Sequence, residues 1–419
     1  MEKRRTPYSG PMRRTRNNRS SGSSSGRPSY RGGNNGIYNK RRRSGGRSRN
    51  SQPNFDIGLF VRKASTIVQE VETFVPENSF NDFAIDSRIK KVLESRNYKS
   101  PTPIQDKSIP HILNGEDIVG LANTGTGKTA AFLIPLIDKV AKNKGEQVLI
   151  LAPTRELALQ IESEFLFFAH ALNLFSTACV GGAPIFNQIR RLSRPNHFII
   201  GTPGRIIDLI KRGKLDITKT RSVVLDEADR MLDMGFIDDI RIIINKTPKE
   251  RHTLCFSATM PPEIEKLIND FLISPTVISV KKQDIPSNIN QDVVHVKGQN
   301  KTDVLANYLK NPDFKKVLVF GRTKHGVESL SQDLNGRGFR TESIHGDKSH
   351  PQRQRALKKF KEGFTNTLIA TDVAARGLDI SGITHVINFD APKTYDDYVH
   401  RIGRTGRGVN IGNALTFLG

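Results

Sequence analysis

From about Phe80 onward, short runs of Val, Ile and Leu alternate with longer stretches whose apolar positions return every three or four residues. The short runs, bounded by Gly, Pro, Asn and Ser, are read as buried strands, and the longer stretches as amphipathic helices. In the first half the strand candidates are Ile118–Ala122, Val148–Ala152, Ser176–Val180, His197–Ile200, Ser222–Leu225 and Thr253–Ser257. Residues 281–290, with Lys281, Lys282 and Pro286, interrupt the pattern and read as a linker. A second set follows at Val293–Val296, Lys316–Phe320, Thr341–Ile344, Thr367–Ala370, His385–Phe389 and Ala414–Leu418. Strand–helix alternation of this kind predicts parallel sheets covered by helices on both faces. The expected fold is therefore α/β, with two tandem domains at 80–280 and 291–419, and a site in the cleft between them.

Residues 1–54 break this picture. They are rich in Arg, Ser, Gly and Asn, with Tyr8, Tyr30 and Tyr38 interspersed. Such a segment has too little apolar surface to offset its chain entropy, so a disordered basic tail is expected. Residues 55–79 show some helical periodicity between Phe55 and Val71 and receive no role. The tail holds 15 Lys and Arg against one acid, Glu2, and so carries +14 of the chain's net +23. A polyanion partner follows, and nucleic acid is favoured over a membrane because no basic amphipathic helix stands out. Arg with interspersed Tyr and Gly suits loose phosphate contact and base stacking, and the tail is also an expected docking point for protein partners. The two cysteines, Cys179 and Cys255, lack metal-ligand spacing and read as small core residues in a reducing compartment. With no apolar run long enough to span a bilayer and no secretory signal, a cytoplasmic protein is expected, or a nuclear one in a eukaryote.

Two short motifs carry chemistry. Ala122-Asn-Thr124-Gly125-Thr126-Gly127-Lys128-Thr129 follows the first strand candidate. Its glycines allow backbone N–H groups to face phosphate oxygens, Lys128 can reach the β- and γ-phosphates, and the Thr129 hydroxyl can ligate Mg²⁺. Ala122 occupies the place of the usual first glycine. The second motif, Asp226-Glu227-Ala228-Asp229, places two adjacent carboxylates at a strand end, where Asp226 can hold Mg²⁺ and Glu227 can activate water. Together they imply hydrolysis of a nucleoside triphosphate.

With the motifs around them, these runs resemble the DEAD-box RNA helicases over roughly residues 80–418. The resemblance implies two RecA-like domains, ATP and Mg²⁺ as cofactors, and single-stranded or short-duplex RNA as partner with little sequence preference. Pro101-Thr-Pro-Ile-Gln105 matches the adenine-reading motif, with Gln105 presenting a donor and an acceptor and Tyr98 at the position of a stacking aromatic. Asn123 replaces the more common Gln. Asp229 is expected to couple the nucleotide site to Ser257 and Thr259. Pro153, Thr154, Arg155 and Gly182, together with Thr202 and Arg205, match RNA-contacting positions, where Thr hydroxyls, Arg side chains and helix N-termini bind phosphates without reading bases. In the second domain the same role falls to Arg322, Thr323, Gly346, Asp347, Thr371 and Arg376, with Arg353 nearby. His350 stands where the family usually has Gln. Gly377 and Asp379 match nucleotide-contacting positions, and Arg404 and Arg407 match arginine fingers, each worth roughly 10³–10⁵ in rate.

The function implied is ATP-driven closure of the cleft, local separation of short RNA duplexes, and hydrolysis to ADP and phosphate for release. An ATP-gated RNA clamp or assembly scaffold needs every one of the same motifs. A nucleic-acid-independent NTPase is disfavoured by the basic balance, and a DNA helicase by Gln105 and Asp229. The chain ends at Gly419, sooner than members of that family commonly end, which fits a fragment or a minimal core alike.

Overall fold

The computed structural model describes residues 74–123, 125–280, 288–375, 380–406 and 411–419. The expected tail at 1–54 and residues 55–73 lie outside the described residues, as do Thr124, Arg376, Gly377, Asp379 and Arg407. The first sheet contains β1 (Ile118–Leu121), β2 (Gln147–Leu151), β3 (Ser176–Cys179), β4 (Phe198–Gly201), β5 (Thr220–Asp226), β6 (His252–Ser257) and β7 (Thr276–Ser279). Its order is β3-β4-β2-β5-β6-β1-β7, and every pairing is parallel. The second contains β8 (Ile289–His295), β9 (Val317–Phe320), β10 (Thr341–Ile344), β11 (Thr367–Ala370), β12 (His385–Asn388) and β13 (Gly412–Leu418), in the order β10-β11-β9-β12-β13-β8, again all parallel. Two α/β domains with parallel sheets are thus present, as the alternation predicts.

Two features depart from the sequence reading. β7 was not foreseen: of its four residues only Ile278 is buried, and a single inward side chain makes no apolar run. β8 starts at Ile289, inside the stretch read as linker at 281–290, and pairs along its whole length with β13. Its polar start hid it. Ile289 and Gln291 nevertheless face inward, and the Tyr398 hydroxyl donates to Gln291 Oε1 at 2.9 Å.

Alternation along each strand divides the core between the two faces of the sheet. In β2, Val148 and Ile150 join one apolar layer, with Phe132, Phe165 and Phe198, while Leu149 and Leu151 join the other, with Ile206, Ile240 and Leu267. Both cysteines lie in the second layer and are fully buried. Each large side chain so buried contributes about 1.5–3 kcal/mol.

Register then decides where the chemistry collects. Gly120 in β1 lies beside Phe256 in β6, and Phe256 beside Asp226 in β5, so these three strands end at one level. β2, β3 and β4 likewise end together, with Leu151 and Cys179 both opposite Gly201. The loops leaving the sheet therefore form two neighbouring groups along one edge. Gly120 is what allows β1 and β6 to pack: a Cβ there would meet the Phe256 ring at 2.6 Å. Gly120→Ala is expected to destabilise the first domain by about 1–3 kcal/mol through overpacking. Urea unfolding followed by circular dichroism measures this, and an unchanged midpoint would count against the packing account.

Candidate nucleotide and nucleic-acid site

The loop after β1 turns through Gly125 at φ +85° and Gly127 at φ +93°, conformations that side chains with a Cβ resist. Thr126 Oγ1 donates to the Asn123 carbonyl at 2.8 Å, tightening the turn. The helix Lys128–Lys142 begins directly afterwards. Lys128 is buried at its start, and its ammonium donates to the Ala122 carbonyl at 2.8 Å. Gln105 packs on the same loop. Its Nε2 donates to the Gly127 carbonyl at 3.1 Å and its Oε1 accepts the Thr102 N–H at 3.0 Å, so each end of the amide keeps one further hydrogen-bonding position. A Cβ on Gly127 would sit 2.5 Å from that Nε2. Tyr98 is half-buried, edge-on to Phe80 and Phe168 at centroid distances of 5.9 and 6.1 Å.

Beside this loop, β5 ends in three buried carboxylates, with Asp226, Glu227 and Asp229 exposed by 2, 4 and 6%. Glu227 sits in the left-handed region at φ 54°, a strained conformation for a residue with a Cβ. Its Oε2 pairs with Arg230 Nη1 at 2.9 Å, both side chains almost fully buried. Burial alone would raise the Glu227 carboxyl, but Arg230, Lys128 and Arg404 outweigh it and hold the group below its ordinary value. Asp229 is lowered in the same way: its burial is countered chiefly by Lys128 and by His400. Its Oδ2 accepts from the N–H groups of Ala258 and Thr259 at 3.1 and 2.8 Å and from the Thr259 hydroxyl at 3.0 Å, while its own N–H donates to Ser257 Oγ at 3.2 Å. Asp226 is the exception. Burial pushes it up to about 7, Lys128 only partly opposing, and its Oδ1 is buried without a hydrogen-bond partner.

The other loop group gathers Pro153, Thr154 and Arg155 after β2, Gly182 after β3, and Thr202 and Arg205 after β4. Thr154 caps the Arg155–Ala169 helix by accepting the Leu157 N–H at 3.2 Å. The Arg155 guanidinium lies close against Gly181-Gly182, where a Cβ on Gly182 would overlap it. Arg205 reaches the same segment, donating to the Ala183 carbonyl at 3.3 Å.

In the second domain, Arg322, Thr323, Gly346, Asp347 and Thr371 occupy the loops after β9, β10 and β11, which are neighbours in the sheet. Thr323 caps the next helix through the Gly326 N–H at 3.0 Å, and Asp347 pairs with Lys324 at 2.7 Å. Arg401 ties the loops together. It grips Asp372 with two bonds of 2.6 and 2.8 Å, and donates to Asn388 Oδ1 and the Asp390 carbonyl. Arg404 is buried close by. Its charge acts on Glu227, and His400 lies within reach of Asp229, so the two domains share one electrostatic site. His400 is lowered to about 4 by burial and by the facing Arg230. A second cross-domain link joins Arg353 Nη2 to Glu156 Oε2 at 2.8 Å, between two nearly buried side chains.

Comparison with known proteins gives the family. The DEAD/DEAH box helicase model matches residues 102–267, and the helicase conserved C-terminal domain model matches 300–409. The DEAD-box ATP-dependent RNA helicase CshA of Geobacillus kaustophilus is 47% identical over 342 residues, which cover 81% of this chain and 73% of that protein. The chain belongs to the DEAD-box ATP-dependent RNA helicase family, a family of enzymes. CshA of Listeria monocytogenes is also 47% identical, over 81% of this chain and 66% of that protein, so the chain spans a little under two thirds to three quarters of these relatives. Among solved structures, S. cerevisiae Dbp5 bound to RNA and ADP BeF3 is 28% identical with a TM-score of 0.73, covering 81% of this chain and 89% of that one. The two sheet domains are accordingly RecA-like.

For this DEAD-box chain, Thr124, Arg376, Gly377, Asp379 and Arg407 of the expected site lie outside the described residues. Three partnerships escaped the sequence reading. Arg230 stands three residues after Glu227, a spacing that signals a helical pair. The bonds from Gln105 to Gly127 and from Arg353 to Glu156 have no such local signal. Near Gly346, Glu328 accepts from the Ser343 hydroxyl, His345 and Lys348, and is held down at about 2. A carboxyl depressed in the folded state contributes stability above its unfolded value of 4.5, which is lost as pH falls toward 2. Glu328→Gln is expected to flatten acid unfolding of the second domain between those limits. An identical acid profile would remove Glu328 from that role.

Proposed function

We propose that this enzyme uses ATP hydrolysis to close and reopen its two domains around single-stranded RNA, separating short duplexes locally. One observation carries the reading: carboxylates of the first domain and the Arg404 and His400 side chains of the second act on each other in one buried site. Dbp5 in its complex with RNA and ADP BeF3 has a similar overall arrangement.

In this reading Tyr98 stacks on adenine and Gln105 reads its edge. The N–H groups from Thr124 to Lys128 surround the phosphates, and Lys128 leaves the Ala122 carbonyl for them. Gly377 and Asp379 approach the ribose side of the nucleotide. The orphaned Asp226 Oδ1, next to Lys128 and raised by uncompensated burial, fits a divalent cation, with the Thr129 hydroxyl as the second protein ligand. Mg²⁺ there would neutralise charge on the β- and γ-phosphates. Glu227 remains ionised and orients and deprotonates the attacking water. Arg404 and Arg407 neutralise charge developing on the γ-phosphate. Asp229, holding Ser257 and Thr259, passes the state of the nucleotide site to the adjacent loops. RNA lies along Pro153, Thr154, Arg155, Gly182, Thr202 and Arg205, and continues over Arg322, Thr323, Gly346, Asp347, Thr371 and Arg376. These groups address the backbone, so little sequence preference is expected. Phosphate release reopens the cleft. The tail at 1–54 adds non-specific RNA affinity and a docking point for proteins, and the enzyme works in the cytoplasm.

Steady-state ATP hydrolysis measured alone, with single-stranded RNA, and with DNA of the same sequence tests the reading. Strong stimulation by RNA alone supports it, and equal stimulation by DNA contradicts it. Glu227→Gln should bind ATP and RNA yet turn over about 10²-fold more slowly or worse; turnover near that of the parent would exclude Glu227 as base. Removing residues 1–54 should weaken RNA binding and flatten its salt dependence, because fewer counterions are released. An unchanged slope of affinity against salt would exclude the tail from binding.

A further inference from the structure

The nucleotide and RNA loops leave the carboxyl ends of the first sheet. The opposite ends of β1, β2, β5, β6 and β7 border a separate, open depression of about 660 Å³. β1 alone, at four residues, puts about 13 Å of strand between this depression and the phosphate loop. None of the residues assigned above to ATP or RNA lines it.

Its chemistry is that of a built site. Lys139, Lys219, Arg221 and Arg251 face two carboxylates, Glu146 and Glu250, leaving an excess of two positive charges. Lys139 and Glu146 neutralise each other at 3.3 Å. Arg251 makes no direct ion pair among the described residues, and the buried Asp117 carboxylate, outside the lining, compensates it only from a distance. Its two terminal nitrogens donate to the Pro248 and Phe271 carbonyls, each at 3.0 Å, which fixes the guanidinium, and its Nε is buried without an acceptor. His252, only 6% exposed, sits beside it. The His252 Nε2 meets the Glu116 carbonyl at 2.7 Å, and a carbonyl only accepts, so the ring carries its proton there. Nδ1 is then a lone-pair acceptor, buried and without a partner. Burial, with Lys139 nearby, lowers the ring's basicity and keeps it neutral.

A fixed cation with a vacant N–H, two exposed cations and a buried acceptor form a mixed donor set. The charge excess matches a phosphate monoester, which carries about −1.5 to −2 at neutral pH, better than a single carboxylate. The acceptor at His252 requires a donor on the same molecule, and a hydroxyl supplies it. We propose that the convergence of Arg251, Lys219, Arg221 and His252 at this end of the sheet forms a second ligand site, for a phosphomonoester bearing a free hydroxyl, the class of the sugar phosphates. Arg251 Nε and the two exposed cations take the phosphate, and His252 Nδ1 accepts from the hydroxyl. This site is independent of the helicase reading.

Calorimetric titration of the full chain, with its phosphate loop saturated by ADP and Mg²⁺, tests the proposal. The probes are glycerol 3-phosphate, methyl phosphate, which has the charge but no hydroxyl, and glycerol, which has hydroxyls but no charge. Glycerol 3-phosphate should bind one site per chain, about tenfold more tightly than methyl phosphate, the worth of one hydrogen bond to a buried acceptor. Glycerol should give no heat. The surface charge reversal K219E/R221E should weaken both phosphates at least about tenfold by removing attraction and adding repulsion. His252→Ala should erase the preference for glycerol 3-phosphate. ATP turnover in each variant checks that the fold is kept. No binding of glycerol 3-phosphate, equal affinity for the two phosphates, or affinity unchanged in K219E/R221E would each overturn the proposal.

Discussion

Three carboxylates at the end of β5 are withdrawn from water, and much of the molecule is arranged around compensating them. An unpaired buried charge costs several kcal/mol, so each must find a counter-charge or hydrogen-bond donors. Glu227 has Arg230, and Asp229 has two backbone N–H groups and a hydroxyl from the loop after β6. Lys128 serves all three from the phosphate loop. Asp226 is left with burial only partly opposed and an oxygen without a partner. The remaining compensation for Glu227 comes from Arg404, across the cleft. A first domain that needs charge from the second for its own site has an electrostatic reason to close.

Sheet order explains how one edge could serve the two ligands proposed above. β1, β6 and β5 are consecutive in the sheet and carry the phosphate loop, the Ser257–Thr259 segment and the acidic cluster. β2, β4 and β3 continue the same edge and carry the Thr, Gly and Arg residues suited to phosphates of a polymer. Glu156 follows Arg155 directly and pairs with Arg353 of the second domain. The loop group after β2, β3 and β4 is therefore linked to the second domain as the acidic cluster is, through a different pair.

Much of this was legible in the sequence because the signals are local. Buried parallel strands are continuous apolar runs, and phosphate loops and acidic strand ends are short motifs at fixed spacing. Among the described residues, twelve of the thirteen strands were expected for that reason. β7 was missed because only Ile278 faces inward, and the start of β8 because its buried Gln291 is polar and is accounted for only by Tyr398, far away in sequence. The site shows the same division. The loop motifs are local signals, whereas the hydrogen bond from Gln105 to the Gly127 carbonyl and the ion pair of Arg353 with Glu156 join segments that only the tertiary fold brings together. The depression at the opposite end of the first sheet was equally hidden, since Arg251 and His252 look in sequence like an ordinary basic turn before a strand.

The central claim is that nucleotide and RNA each favour the same closed arrangement, so their binding must be reciprocally coupled. The direct measurement is the affinity of a short single-stranded RNA for the full chain, with and without a non-hydrolysable ATP analogue and Mg²⁺, together with the converse titration. The account predicts that each ligand tightens the other by one common factor of about ten or more. Equal RNA affinity in the presence and absence of the analogue would contradict it.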